Sequence, residues 1–293
     1  MMLPDKITTL AAAEFPPLLA EITDPPKKLY VRGIVPPPEH KWLCVVGSRS
    51  YSPYAKDAVE KLVGGLAGYP VVIVSGLALG IDALAHKVAL AHKLPTVSIP
   101  GSGLNWNTLY PRSHETLARA IVESGGALVS EFEPEFTATP WSFPQRNRIM
   151  AGLSHATLII EASEQSGTLI TARLALEYNR EVFAVPGHIF DTNALGTNTL
   201  LQRGAVLITS TADVLTTLGL EPRKNESDTS KIPTNLSEHE HGVLSLLGTQ
   251  PLSIDSVVSA LSLSASTVAT ALTTLELRGL VKDIGQKKYI RVC

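Results

Sequence analysis

The sequence has two cysteines in 293 residues, Cys44 and Cys293, and they form neither a C-x-x-C pair nor a zinc-ligand spacing. That argues against a disulfide framework and predicts a reducing, cytoplasmic setting. No basic segment leading into a short apolar one marks a secretory signal. No apolar run approaches the ~20 residues that span a bilayer, so no membrane partner is expected. The chain also lacks an excess of positive charge: 25 lysines and arginines face 27 aspartates and glutamates, for a net charge of −2. A nucleic-acid site, if the chain has one, must therefore be a local basic patch. The eight histidines are scattered, and His239 with His241 has no third ligand in view, so no metal is expected. There is no G-x-S-x-G elbow, no G-x-x-x-x-G-K-[ST] phosphate loop and no clean G-x-G-x-x-G, so neither a serine nucleophile, P-loop hydrolysis nor a dinucleotide cofactor is indicated.

What the chain does have is a repeated unit of short apolar strand followed by helix. After a proline-rich first forty residues, read as an extended arm, the runs "WLCVVG", "VVIVSG", "TVSIPGSG", "ALVSEF", "TLIIEAS", "VFAVPG" and "AVLIT" alternate with helical stretches. Strands this short and this uniformly apolar predict a parallel sheet covered on both faces, a doubly wound α/β domain over residues 41–220. Residues 221–235 are polar and aperiodic and read as a linker. Residues 236–293 give three helices and a hairpin turning near Gly285, the pattern of a winged helix.

In an open parallel sheet, ligands gather outside the carboxyl ends of the strands. Four loops there are suited to anions. The first offers Gly47, Ser48 and Arg49; the second runs from Ser75 and Gly76 to Gly80 at a helix start; the third holds Gly101, Ser102 and Gly103, followed by Arg112; the fourth holds Ser166, Gly167 and Thr168. Glycine lets backbone N–H groups approach a phosphate, and a helix N-terminus adds a favourable dipole. Any one such loop is ordinary turn chemistry; convergence of four on one sheet edge is the signal. The segment "FPQRNRIMAG" adds Arg146, Asn147 and Arg148 just before a helix expected to open near Arg146. Residue types and spacing leave two readings for this arginine pair: an anion site, or ion pairs with Glu131, Glu133 or Glu161.

The ordered set "VVGSRSYSPY", "VIVSGLALGIDALAH", "IPGSGLNWNTLYP", "SEF", "FPQRNRIMAGLS", "IIEASEQSGTLITARLALEYNREVFAVPG" and "GTNTLLQRGA" closely resembles the DNA-processing protein A family (DprA, also called Smf), from about Phe15 to Leu215. The resemblance implies an extended Rossmann domain that binds single-stranded DNA without chemistry, loads RecA recombinase onto incoming strands in natural transformation, and acts as a homodimer with no cofactor. Position by position it implies phosphate contacts at Arg49 and Arg112 and places Arg146, Asn147 and Arg148 at the family's R-N-R motif. Two departures stand out: Leu79 occupies a place where the family usually carries a basic residue, and the family's frequent N-terminal helical domain is absent or reduced to about forty residues.

Two other classes of function compete. Nucleoside-monophosphate phosphoribohydrolases share the Rossmann design and carry P-G-G-x-G-T-x-x-E; here "EQSGTLIT" matches at Gly167 and Thr168, but Thr171 stands in place of the glutamate. A nucleotide sensor would use the same phosphate loops. The winged helix could instead read duplex DNA, but "SASTVATALTTLELRG" is almost free of positive charge, while Lys287 and Lys288 sit in the wing. That favours protein contact, or weak backbone contact through the wing, as the role of this module.

Overall fold

The computed structural model describes residues 6–223, 236–248, 251–285 and 287–291. The chain divides into two compact units at Pro222/Arg223. In the first, strands β1 (Ile7–Ala11), β2 (Lys28–Gly33), β3 (Lys41–Val46), β4 (Val71–Ser75), β5 (Thr96–Ser98), β6 (Ala127–Ser130), β7 (Ala156–Ile159), β8 (Glu181–Ala184) and β9 (Val206–Leu207) form one sheet in the order β1-β2-β6-β5-β4-β3-β7-β8-β9. From β6 across to β9 every pairing is parallel. Helices α1 (Pro17–Ala20), α2 (Pro53–Gly64), α3 (Ile81–Ala91), α4 (Glu115–Glu123), α5 (Ser142–Leu153), α6 (Thr168–Glu177), α7 (Leu195–Gln202) and α8 (Thr211–Thr217) connect and cover the strands. Among the described residues, no single helix is long and apolar enough to cross a membrane.

The apolar strands are buried on both faces because successive side chains point to opposite sides of the sheet. Cys44, Val46, Val72 and Val74 join the core under α5 and α6, while Leu43, Val45, Val71 and Ile73 join the core under α2 and α3. Burial pushes the Cys44 thiol well above its usual range, so it behaves as a small apolar side chain.

The proline-rich opening is not an arm lying on the domain. β1 pairs antiparallel with β2, and β2 pairs antiparallel with β6, so the segment extends the sheet. The prolines at positions 16–17, 25–26 and 36–38 fall between the strands, where a missing N–H breaks no ladder bond. Within β2 the alternation is clear: Leu29 and Val31 enter the main core, whereas Tyr30 enters a smaller cluster with Leu104, Leu109 and Leu128.

A second difference concerns α5, which starts at Ser142 rather than near Arg146. Ser142 anchors the start by donating from Oγ to the Gly101 carbonyl at 2.6 Å. Pro144 lies in the first turn, where its missing N–H would have had no helical partner anyway. Arg146, Asn147 and Arg148 therefore lie within a helix and project in different directions.

The second unit contains α9 (Glu238–Leu246), β10 (Leu252–Ser253), α10 (Ile254–Leu261), α11 (Ala265–Leu277), β11 (Val281–Asp283) and β12 (Lys288–Arg291), with sheet order β10-β12-β11. Ser237, Ser253 and Ser264 cap the three helices through their hydroxyls. Val243, Leu247, Val257, Val268, Leu272, Leu275 and Val281 form its core. This is the winged-helix architecture, with β10 as a strand that the sequence did not signal. The expected linker, residues 221–235, lies outside the described residues from residue 224 onward.

Candidate nucleic-acid interface

β3 has β4 on one side and β7 on the other, and the loops after β3 and β7 lead to helices α2 and α6, which pack in opposite cores. A crevice must open where the loops diverge. It is a cavity of about 550 Å³ lined by Gly47, Arg49, Asp82, Phe143, Arg146, Asn147, Ser166, Gly167 and Thr168, among others.

Arg49 stands exposed at this cavity, and among the described residues its guanidinium makes no hydrogen bond or ion pair. It lies 6.0 Å from the centre of the Phe143 ring. Opposite it, α6 presents its N-terminus. Thr168 ties that terminus to the first loop by donating from Oγ1 to the Gly47 carbonyl at 3.1 Å, and Ser166 Oγ accepts from Thr168 N at 3.2 Å. The helix end contributes roughly half a positive charge. The Asn147 amide also faces this space without a hydrogen-bond partner among the described residues.

Arg146 forms the floor and is only 5% exposed. One guanidinium nitrogen donates to the Ile99 carbonyl, tying α5 to the end of β5. Gly76 is a glycine for space: a methyl there would run into this guanidinium. Asp82 accepts from Gly76 N at 3.1 Å. Burial raises the Asp82 carboxyl and lowers the Arg146 guanidinium from their ordinary values, and in each case the other charge pulls back toward the ionised form. Arg146 Nε is buried and has no hydrogen-bond acceptor among the described residues. The second glycine loop acts as a support. Gly80 has φ +86°, and a side chain there would collide with the Ser48 carbonyl and Arg49 Cα, so this residue fixes where Arg49 stands.

Of the residues singled out in the sequence, the fold thus brings Gly47, Arg49, Arg146, Asn147, Ser166, Gly167 and Thr168 into one cavity. Ser48, Ser75, Gly76 and Gly80 lie behind it; Ser75 Oγ is committed to the Val45 carbonyl at 2.6 Å, and Ser48 Oγ to the Ser50 carbonyl at 2.8 Å. Three groups lie elsewhere. The polar atoms of Gly101, Ser102 and Gly103 are spent on local packing: Ser102 is buried and accepts from Tyr110 N at 3.1 Å, and Gly103 N donates to the Phe136 carbonyl at 2.8 Å. Arg112 is exposed but donates to the Trp106 carbonyl and lies 3.4 Å from Glu115. Arg148 is ion-paired with Glu131 and lies 3.6 Å from the Asp24 carboxylate. The ion-pair reading therefore holds for Arg148, with Glu131, whereas Arg146 lines the cavity. In a helix, i and i+2 stand about 200° apart, so Arg146 reaches the cavity floor and Arg148 cannot. Asp82 and Phe143 were not singled out from sequence, although both stood inside the motifs that drew attention.

In the winged helix, α11 carries no lysine or arginine. Its exposed Thr270 and Thr274 hydroxyls donate back to the helix carbonyls of Ser266 and Thr270, each at 2.9 Å. Such a helix offers little to base edges.

The fold and cavity define a doubly wound α/β protein with a cationic switch-point site and an appended winged helix. The matching families give this class a name: residues 6–219 match DNA recombination-mediator protein A, and residues 227–284 match the DprA winged helix domain. The chain belongs to the DprA family. It is 37% identical over 286 residues to protein Smf of Escherichia coli, covering 95% of this chain and 76% of that one. To the DNA processing protein DprA of Bacillus subtilis it is 37% identical over 217 residues, covering 74% of this chain and 71% of that protein. Among solved structures, DprA of Streptococcus pneumoniae superposes with TM-score 0.67 at 38% identity, over 72% of this chain and 74% of that one. DprA of Helicobacter pylori, described for its single-stranded DNA binding mode, superposes with TM-score 0.64 at 31% identity, over 73% of this chain and 95% of that one.

Proposed function

We propose that this protein binds single-stranded DNA at the switch-point cavity and serves as a recombination mediator that loads RecA recombinase onto incoming strands in natural transformation, as a cytoplasmic homodimer without catalysis of its own. The observation that carries the reading is Arg49: an unpaired, exposed guanidinium beside a helix N-terminus and an unpartnered amide. A phosphate would satisfy all three groups together. The buried Arg146 Nε supplies one more donor at the floor. The H. pylori relative's described binding mode supports the choice of a single strand as ligand.

A phosphoribohydrolase reading finds no support in the cavity wall. Thr171 is a neutral hydroxyl where that chemistry needs a glutamate, and the one carboxylate among the lining residues, Asp82, is buried and held by the Gly76 amide. A nucleotide-sensing role draws on the cavity's size, about 550 Å³, which suits a small ligand. A gel-shift with oligo-dT, duplex of equal length and free nucleotides as competitors separates the readings. Single-strand binding that free nucleotide does not displace is expected. Preference for duplex, or displacement by mononucleotide at low concentration, contradicts it. RecA filament growth on single strands with and without the protein tests the mediator role.

A further inference from the structure

Two aromatic side chains flank the cavity with half their surface open. Tyr110 is 50% exposed and Trp141 is 54% exposed, large values for rings in a folded domain. Both are held by neighbours. The Tyr110 ring lies 5.5 Å from the Phe143 ring, and Phe143 itself lines the cavity beneath Arg49. Trp141 packs at steep angles against Phe132 and Phe136, at centroid distances of 5.7 and 5.5 Å. It directly follows Pro140, another lining residue, and leads into α5, which carries Arg146 and Asn147. Trp106 is unlike them: the guanidinium groups of Arg32 and Arg119 lie over its ring, at 4.3 and 4.1 Å from the centre.

We propose that Tyr110 and Trp141 are base-stacking platforms for the strand whose phosphate Arg49 holds, so that the strand runs out of the cavity over the first turn of α5. This rests on the single-strand reading and extends it from one phosphate to a path and a mode of contact. Charge places the backbone at Arg49, and the open rings adjoin the same wall, Tyr110 through Phe143 and Trp141 through the lining residue Pro140, so the apolar surface is next to the cation that orders the ligand. Every base offers a π-face, so such contacts bind strands with little regard to sequence. In a duplex those faces are stacked on one another and unavailable, which gives the site a physical reason to prefer single strands.

The tryptophans supply the test. The chain has three. Trp42 is 2% exposed and Trp106 is covered by two guanidinium groups, so quenching by stacked bases must come from Trp141. Intrinsic fluorescence is followed while the full-length protein is titrated with oligo-dT and with an abasic sugar-phosphate strand of equal length. Quenching by oligo-dT, none by the abasic strand, and loss of the signal in Trp141→Phe are expected. Tyr110→Ala and Trp141→Ala should each weaken oligo-dT about tenfold and leave abasic binding unchanged, while Tyr110→Phe, which keeps the ring, should match the parent. Equal affinity for both strands in parent and variants, with no quenching, overturns the proposal and leaves the single-strand reading standing. Failure of the parent to bind either strand overturns both.

Discussion

Arg148→Ala tests the division of labour between the paired arginines. Arg148 and Glu131 are ion-paired with side chains only 11% and 10% exposed. Burial raises the Glu131 carboxyl above its ordinary value, while Arg148 and Gln145 draw it back. Removing the arginine leaves a largely buried carboxylate with no counter-charge from Arg148 and only Gln145 to stabilise it. Breaking a buried pair from one side costs about 3–5 kcal/mol, and the residual exposure here places this case near the lower end, about 3 kcal/mol. The Asp24 carbonyl also loses its donor, but Asp24 is exposed and water can replace it. In a domain of this size 1 kcal/mol moves the melting temperature by about 2–4 °C, so a fall of about 6–12 °C is expected. The sign of the pH effect follows from the raised carboxyl. Its ionisation costs stability as pH climbs through the folded value, so the deficit should shrink on acidification. Replacing both partners with apolar residues, Arg148→Met with Glu131→Leu, should recover most of the loss. Thermal unfolding by circular dichroism measures all of this, and a single-strand titration on folded protein should give an unchanged salt slope. An unchanged melting temperature together with a flatter salt slope would refute the assignment and make Arg148 a phosphate contact.

Leu79, 51% exposed between the lining residue Ala78 and Gly80, should accept lysine without strain; Leu79→Lys is expected to tighten single-strand binding and steepen its salt slope by roughly 0.7, the value for one phosphate, and no change would place this loop tip away from the backbone path. His86 is fully buried, with its ring held down to about 3 from an ordinary 6.5 by burial; the unfolded chain binds the proton first, so stability should fall as pH drops from about 6.5 toward 3, and His86→Asn should flatten melting curves across that window. Deleting Ser237–Cys293 should leave a folded protein with its single-strand affinity intact, because the first unit has its own cores and contains every cavity residue; a truncated protein that melts normally but has lost affinity would put the DNA site in the wrong unit.

The parallel sheet was legible because its strands are short, uniformly apolar runs, and each of the seven runs read from the sequence became a strand from β3 to β9. The opening segment was not. Its prolines dominate the composition, and the two strands between them are visible only once β6 is there to pair with β2. At the site, Arg49 and the turn before α6 were readable because glycine and hydroxyl residues at a strand–helix junction point to one chemistry. Arg112 and the Gly101–Gly103 loop carry the same residue types, but local partners consume their hydrogen bonds, and those partners arrive by tertiary packing. The arginine pair turned on helix phase: starting α5 four residues earlier sends Arg148 to Glu131 and leaves Arg146 under the cavity.

Whether Arg49 holds a phosphate is decided by the oligo-dT affinity of the parent and of Arg49→Ala from about 50 to about 200 mM salt. Arg49 is exposed and unpaired, so its loss should leave the melting temperature unchanged. Weaker binding at low salt and a log–log slope shallower by roughly 0.7, one phosphate's share, are expected for the variant. Parallel, superimposed lines for the two proteins would contradict it.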